Sequence, residues 1–332
     1  MSGQRMNINE IAKLAGVSRA TVSRYLNDGY VSVQKKQVLA RVIEETGYVP
    51  STQAQTLRSR KSKIIGVILP RLNSDAISRE MTGISSVLSR EGYQILLANT
   101  ANNERKELDY IRTFRNNQVD GLILIATVFT AQHRELLKEM GIPVVILGQN
   151  VKGFPCVYHD DYSAAKEITG LLIREGRKNI GYIGVMLKDE AAGGGRYHGY
   201  MDAFQAEKVR INEKAMVEAE FNMEDGYYKA RELFRRFPEL DGLFCATDSI
   251  AVGAMEYLKE AGYMIPRDIS VTGVGHTSLS KAVSPKLTTI HYYYETSGEE
   301  AAGLLMEMLK GEDEEGRSIK MGYEMIRRGT TR

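Results

Sequence analysis

The chain has 332 residues and a mass of 37.1 kDa, room for two or three domains and a sizeable core. Hydrophobic residues make up 43% and charged residues 26%, as in soluble globular proteins, and no apolar run approaches the ~18–20 residues that span a bilayer. Charge is unevenly placed: residues 1–63 hold 11 Lys/Arg against 4 Asp/Glu, and the remainder 33 against 38, so a basic module precedes a mildly acidic body and a polyanion is the expected partner.

The opening MSGQRMNINEIAKL has no apolar stretch of the secretory kind, and only Cys156 and Cys245 are present. These features exclude a disulfide scaffold and a zinc site built on cysteine pairs, and lead us to expect a reduced, cytoplasmic protein. Asn7 with Glu10 forms a capping-box pattern, after which Ile8, Ile11, Ala12 and Ala15 share one helical face that ends at Gly16. Ser18 caps a second helix, SRATVSRYLN, with Val22 and Leu26 inward, and Asn27-Asp28-Gly29 supplies a turn. Ser32 is placed to cap a third helix whose apolar face is Val38, Leu39, Val42 and Ile43, closed by Gly47. Three short helices with a tight turn between the first two predict a helix-turn-helix domain over 1–49.

Pro50 breaks the pattern, and STQAQTLRSRKSK is polar and basic with one large apolar residue, Leu57. Residues 50–62 read as a linker, too short to hold a helix unless something supports it. From 63 onward apolar strands alternate with amphipathic helices. The strands are expected at 64–69, 93–98, 121–126 and 143–147, then at 179–184, 242–246 and 269–274. Helices are expected at 75–91, 104–117, 131–140, 162–176, 197–208, 224–237 and 248–262, and a strand, a helix (295–310) and two short strands follow Leu287. Near-continuous apolar strands between helices predict parallel sheets covered on both faces, and two series predict two doubly wound lobes with a ligand cleft at the strand C-termini.

The run INEIAKLAGVSRATVSRYLN followed by VSVQKKQVLARVIEETGYVPS resembles the lactose-repressor/galactose-repressor (LacI/GalR) family of bacterial transcription regulators. The motifs are A-G-V-S at 15–18, T-V-S-R at 21–24, Asn27, G-Y-x-P at 47–50 and A-x-x-L at 54–57. The core adds I-G-V-I-L-P (65–70), G-R-x-x-I-G-Y-I (176–183), R-x-x-G-Y (196–200), C-A-T-D-x-x-A-x-G-A (245–254) and P-x-L-T-T-I (285–290), so the resemblance covers essentially the whole chain. It implies an α/β protein: an all-α helix-turn-helix domain, then a two-lobed, doubly wound, periplasmic-binding-protein-like sensor and dimerisation core over 63–332. Its lobes would be 63–162 plus 290–320 and 163–289 plus 321–332. A homodimer, or in some members a tetramer, bound to an operator in double-stranded DNA is implied as well.

By that resemblance Arg19, Ala20 and Arg24 read bases, where an Arg fork fits guanine O6/N7. Ser18, Thr21, Ser23, Asn27 and Tyr48 anchor phosphates, which fixes register without reading sequence. Leu57 takes the family's minor-groove wedge position, Ala54 is small enough for two such segments to touch, and Ser51 stands where relatives often carry Asn.

In the core, Arg196 follows Gly193-Gly194-Gly195 and opens a helix, where a guanidinium can grip a diol, carboxylate or phosphate. Phe221 and Tyr294 match ring positions of sugar-sensing relatives; Asn73, Ser74, Thr247 and Asp248 follow strands and are expected to face the cleft. Two carboxylates common in relatives are missing. After Gly273-Val274-Gly275 the nearest polar residue is His276, and Gly148-Gln149 replaces an Asp, changes that imply a different sugar or ligand class. His159-Asp160-Asp161 reads as a solvated helix cap. With no G-x-S-x-G, no P-loop, no H-E-x-x-H and no metal-ligand spacing among the five histidines, no catalytic residue, metal or cofactor is expected. The expected function is a repressor of carbohydrate-use genes, controlled by a sugar or sugar phosphate in the cleft. The alternative is control by a phosphorylated carrier protein or a non-sugar metabolite.

Overall fold

The computed structural model describes residues 6–27, 29–48, 61–117, 119–312 and 317–332. Contacts divide the chain into two units, Met1–Lys63 and Ile64–Arg332. In the first, α1 (Ile8–Leu14) starts at Asn7, whose side chain accepts from the Asn9 and Glu10 amides while Glu10 accepts from the Asn7 amide at 2.7 Å. This reciprocal pair satisfies the first orphan donors of the helix. Gly16 (φ 61°) turns the chain into α2 (Arg19–Tyr25), capped by Ser18 through the Thr21 amide. Helix α3 (Val33–Thr46) closes at Gly47 in the left-handed region. Ser32 holds the N-cap position of α3 without a side-chain bond. Ile11, Val22 and Leu39 form the fully buried centre. Two seven-residue helices cover only a narrow stripe of α3, so Val42 and Ile43 pack while Val38 stays 44% exposed, against the sequence expectation.

The second unit carries two six-stranded sheets. The first is built from β1 (Ile64–Leu69), β2 (Gln94–Asn99), β3 (Gly121–Ile125), β4 (Val144–Leu147), β5 (Cys156–His159) and β11 (Ser318–Met321), in the order β11-β5-β4-β3-β1-β2, all pairs parallel. The second contains β6 (Ile180–Gly184), β7 (Met216–Glu218), β8 (Gly242–Cys245), β9 (Ser270–Val274), β10 (Thr288–Tyr292) and β12 (Tyr323–Ile326), in the order β12-β10-β9-β8-β6-β7, with β12 antiparallel to β10. Strand alternation shows in the first lobe, where Ile65, Val67, Ile123, Val145 and Val157 join one core and Ile68, Leu122, Leu124 and Ile146 another. Each fully buried aliphatic side chain contributes roughly 1.5–3 kcal/mol.

Helices α4 (Asp75–Arg90), α5 (Glu104–Asn116) and α6 (Ala131–Lys138) connect the first sheet, and α7 (Asp161–Arg174), α8 (Arg196–Ala206), α9 (Met223–Arg236), α10 (Asp248–Glu260) and α11 (Ser278–Ala282) the second. The C-terminal helix α12 (Tyr294–Lys310) returns to the first lobe and packs on α4. A Cβ at Gly83 would lie 2.0 Å from the Glu295 carbonyl oxygen, and one at Gly298 2.1 Å from that of Glu80, so this crossing requires both glycines. The chain crosses between sheets three times. Expectation placed the second crossing at 289/290 and the third at 320/321. Ile290 and Tyr292 still pair with Met325 and Tyr323, and Met321 with His159, so the crossings fall after Tyr292 and after Met321. The short strands β5 and β7, α11 and a π turn at Glu190–Gly195 carry no periodic signal long enough to have been read from sequence.

Candidate functional site

In the first unit the exposed surface of α2 carries Arg19, Ala20 and Arg24. The Ser18 hydroxyl lies 2.9 Å from Thr21 Oγ1, and Asn27 donates to the Ser23 carbonyl at 2.5 Å, so these polar residues also hold the ends of the helix. Tyr48 lays its ring against the three-helix core, and burial pushes its phenol pKa up. Ala54, Leu57 and most of the expected linker lie outside the described residues.

In the second unit a cavity of about 240 Å³ opens where the C-terminal ends of both sheets meet. Parallel strands bring this about, since each strand end leads into a helix start or loop at the same edge. Of the expected residues it is lined by Asn73, Ser74, Arg196, Phe221, Thr247, Asp248 and Tyr294. Ser74 and Thr247 are N-caps of α4 and α10, accepting from the Ile77 and Ile250 amides at 3.4 and 3.2 Å. Arg196 lines the cavity while 7% exposed; its Nε donates to Asp161 at 2.7 Å and its Nη1 to the Ala246 carbonyl at 2.5 Å. Burial disfavours the Arg196 charge, yet the Asp161 carboxylate holds its pKa above the ordinary guanidinium value.

Two expectations are corrected. His276 does not line the cavity: its backbone turns at φ 48° and its Nε2 accepts from Arg328 at 2.7 Å. Burial, with Lys281 and Arg328 nearby, lowers its pKa to about 4. The turn is held at its backbone: the His276 amide donates to the Thr289 hydroxyl at 3.3 Å, and Asp248 accepts from the Thr277 amide (2.7 Å) and hydroxyl (2.9 Å) and from the Thr289 hydroxyl on β10 (2.5 Å). Oδ2 of Asp248 thus holds the loop after β9 and Oδ1 holds Thr289 on β10, so three of the carboxylate's roughly four acceptor positions are already used. Secondly, His159-Asp160-Asp161 is no solvated cap. Asp160 does cap α7, accepting from the Ser163 amide, but His159 and Asp161 are 7% and 6% exposed and line the cavity.

Arg71, Glu80, Asp189 and Gln149 also line the cavity, and the sequence pattern assigned none of them a ligand role. Behind the lining, Tyr292 donates to Asp161 at 3.0 Å and stacks on His159 at 4.6 Å, while the expected Tyr294 meets His159 edge-on at 5.2 Å. Burial lowers the His159 pKa to about 4. Asp189 accepts from the Ala191 and Ala192 amides and, from the other lobe, from Gln149 at 2.8 Å; burial raises its pKa. The Arg71 guanidinium sits 3.9 Å over the Phe221 ring, a second bridge between lobes, and burial lowers its pKa. Glu80, on the cavity side of α4, is 4% exposed, and its Oε2 has no hydrogen-bond partner among the described residues. Among the described residues no cluster of three His, Cys, Asp or Glu side chains is placed to hold a metal, and no helix is long and apolar enough to cross a membrane.

Comparison with known proteins places these two units in a known context. Residues 7–51 match the family "Bacterial regulatory proteins, lacI family", and residues 169–331 match a periplasmic binding protein-like domain. The sucrose operon repressor of Staphylococcus xylosus is 34% identical over 313 residues, covering 94% of this chain and 97% of that protein. The transcriptional regulator CelR in complex with cellobiose shares the fold with a TM-score of 0.76 at 26% identity, over 98% of this chain and 100% of that one. The lac repressor dimer bound to operator and the anti-inducer ONPF superposes with a TM-score of 0.91 at 21% identity, over 99% of each chain.

Proposed function

The chain belongs to the LacI family of bacterial regulatory proteins and is a DNA-binding transcriptional regulator, not an enzyme, and from that premise we propose that it is a homodimeric repressor of carbohydrate-use genes whose operator affinity is set by a sugar bound between the two lobes. The observation that carries this reading is the cavity itself. It combines a buried guanidinium, the aromatic residues Tyr294 and Phe221, and hydroxyl- and amide-bearing residues in one lining. Ring faces take up the apolar face of a sugar, and the surrounding donors and acceptors pair with its hydroxyls. In the first unit, Arg19, Ala20 and Arg24 on the exposed side of a capped helix would enter the major groove, with Ser18, Thr21, Ser23, Asn27 and Tyr48 on phosphates and Ala54 and Leu57 in the minor groove.

The test couples the two sites. Operator DNA is first selected from a random pool, and its affinity is measured with and without sucrose or cellobiose. Arg196→Ala is expected to abolish the sugar response and to leave ligand-free operator affinity within about twofold, because the sites communicate only through conformational equilibrium. A mutant that keeps the full response places the ligand elsewhere.

A further inference from the structure

We propose that Glu80 is a specificity-determining residue that enters the effector complex as a neutral carboxylic acid, donating its proton to a hydroxyl oxygen of an uncharged sugar, so that the sensor selects neutral saccharides over sugar phosphates and loses affinity in alkaline solution. The inference rests on the sugar-sensor reading above and names the ligand's charge and one of its partners.

Three observations carry it. First, Glu80 lies inside the lining of the cavity, buried on α4, and its Oε2 has no partner among the described residues. A buried polar oxygen without a partner costs roughly 1–3 kcal/mol, so one kept at the wall of a ligand cavity marks a bond that the ligand supplies. His159 Nε2, at the same wall, is orphaned too.

Secondly, the position is fixed by backbone packing. The Glu80 carbonyl lies against Gly298 and α12 crosses at Gly83, so the backbone that carries the side chain is held at the cavity by the α4–α12 contact. Thirdly, the charge around the cavity does not suit an anion. Asp75, Asp161, Asp189 and Asp248 line it against Arg71 and Arg196, and Arg196 is already committed to Asp161. A phosphate would meet more acidic than basic side chains there.

The groups that face Glu80 from the surrounding elements are Arg71 after β1, Tyr294 on α12, and, across the cavity, Asp161, Asp189 and Arg196, with His159 at the end of β5. Glu295 and Glu299 meet α4 through backbone atoms. Burial raises the Glu80 pKa from 4.5 to about 8, only partly offset by Arg71. His159, lowered to about 4, stays neutral throughout the neutral and alkaline range and adds no pH dependence there. Because the folded-state pKa of Glu80 is raised, folding takes up a proton between pH 4.5 and about 8, and this residue makes stability fall as pH rises through that window.

Two experiments on the full-length protein test this. Calorimetric titration with sucrose, cellobiose, trehalose and ribose, and with glucose 6-phosphate as the charged probe, is run at pH 7 and pH 9 on the wild type and on Glu80→Gln. The expected result is binding of a neutral sugar, with wild-type affinity falling about tenfold between the two pH values as the acid deprotonates. Glu80→Gln keeps a neutral donor at every pH, so its affinity, whatever its level at pH 7, should show no loss at pH 9. In parallel, melting temperatures are compared from pH 5 to pH 8. The advantage of Glu80→Gln over the wild type should grow with pH, since only the wild type must hold the proton. A neutral sugar that binds equally at both pH values, or a slope shared with Glu80→Gln, overturns the role of Glu80 and leaves the sugar-sensor reading intact. A melting difference constant with pH overturns the neutral acid directly. Binding of glucose 6-phosphate alone overturns this inference and leaves a sugar-phosphate sensor, whereas binding of none of the probes overturns the sugar-sensor reading and this inference with it.

Discussion

Arg24 and Arg196 are both arginines on helices, yet their surroundings assign them opposite work. Arg24 is exposed in the last turn of α2, while Arg196 is buried and held on two sides. An exposed fork is available to guanine, and Arg24→Ala is expected to weaken cognate operator binding by about 1–3 kcal/mol. Binding to random DNA at the same salt should fall far less, because it depends on total phosphate neutralisation. Equal losses on both DNAs would make Arg24 a phosphate contact. Arg196 was legible because a glycine run and the R-x-x-G-Y motif mark it in one stretch of sequence. Its partner Asp161 was not. It lies 35 residues earlier, and nothing local separates a carboxylate that pairs in a cavity from one that caps a helix in water. Glu80 was illegible for a related reason: on a helix of mixed composition, only the packing of α12 decides that its face is buried.

Among the elements, long periodic segments were read to within one or two residues at their ends, as with β1 at 64–69 and α4 at 75–90 against an expected 75–91. The misses are short, such as β7 with three residues and α11 with five, where neither a two-residue nor a 3.6-residue repeat has room to show. The α4–α12 crossing turns this into a test. Gly298→Ala puts a methyl group where the Glu80 carbonyl oxygen sits, so the helices must separate, at a cost of about 1–3 kcal/mol or more. The melting temperature should drop, and effector affinity should fall with it, because Glu80 and Tyr294 ride on these two helices into the cavity. Gly303→Ala on the same helix meets nothing within 4 Å and should be neutral or stabilising by up to about 1 kcal/mol. A gain in stability in both variants would mean that helix propensity, and not the close approach, governs this helix.

The two-lobed core was legible as a whole because its strands come in two series, but the chain's three crossings leave their residues in segments that sequence order alone does not bring together. What joins the lobes across the cavity could not be read at all, since each bridge pairs residues from different sheets: Gln149 with Asp189, Ser278 with Asp75 at 3.3 Å, and Arg71 with Phe221. Gln149 also donates to the Thr127 carbonyl at 3.0 Å, so it is held from its own lobe while it reaches the other. Where sequence comparison marked Gln149 as a lost carboxylate, the structure gives it a different use, since an Asp there would set two negative charges against each other across a buried gap. The lobes in this arrangement are therefore partly held by a hydrogen bond to a carboxylate, a class of bond worth about 1.5–3 kcal/mol when buried. Gln149→Ala removes that bond and leaves Asp189 with its two backbone donors. The population of the joined arrangement should fall, and apparent effector affinity in proportion to it. Operator affinity should shift in the same variant without any sugar present, because the DNA-binding unit is coupled to the core through the same equilibrium. Titration calorimetry and operator binding measured together decide the point: a variant with weakened sugar binding and unchanged ligand-free operator binding would show that the bridge serves the ligand alone.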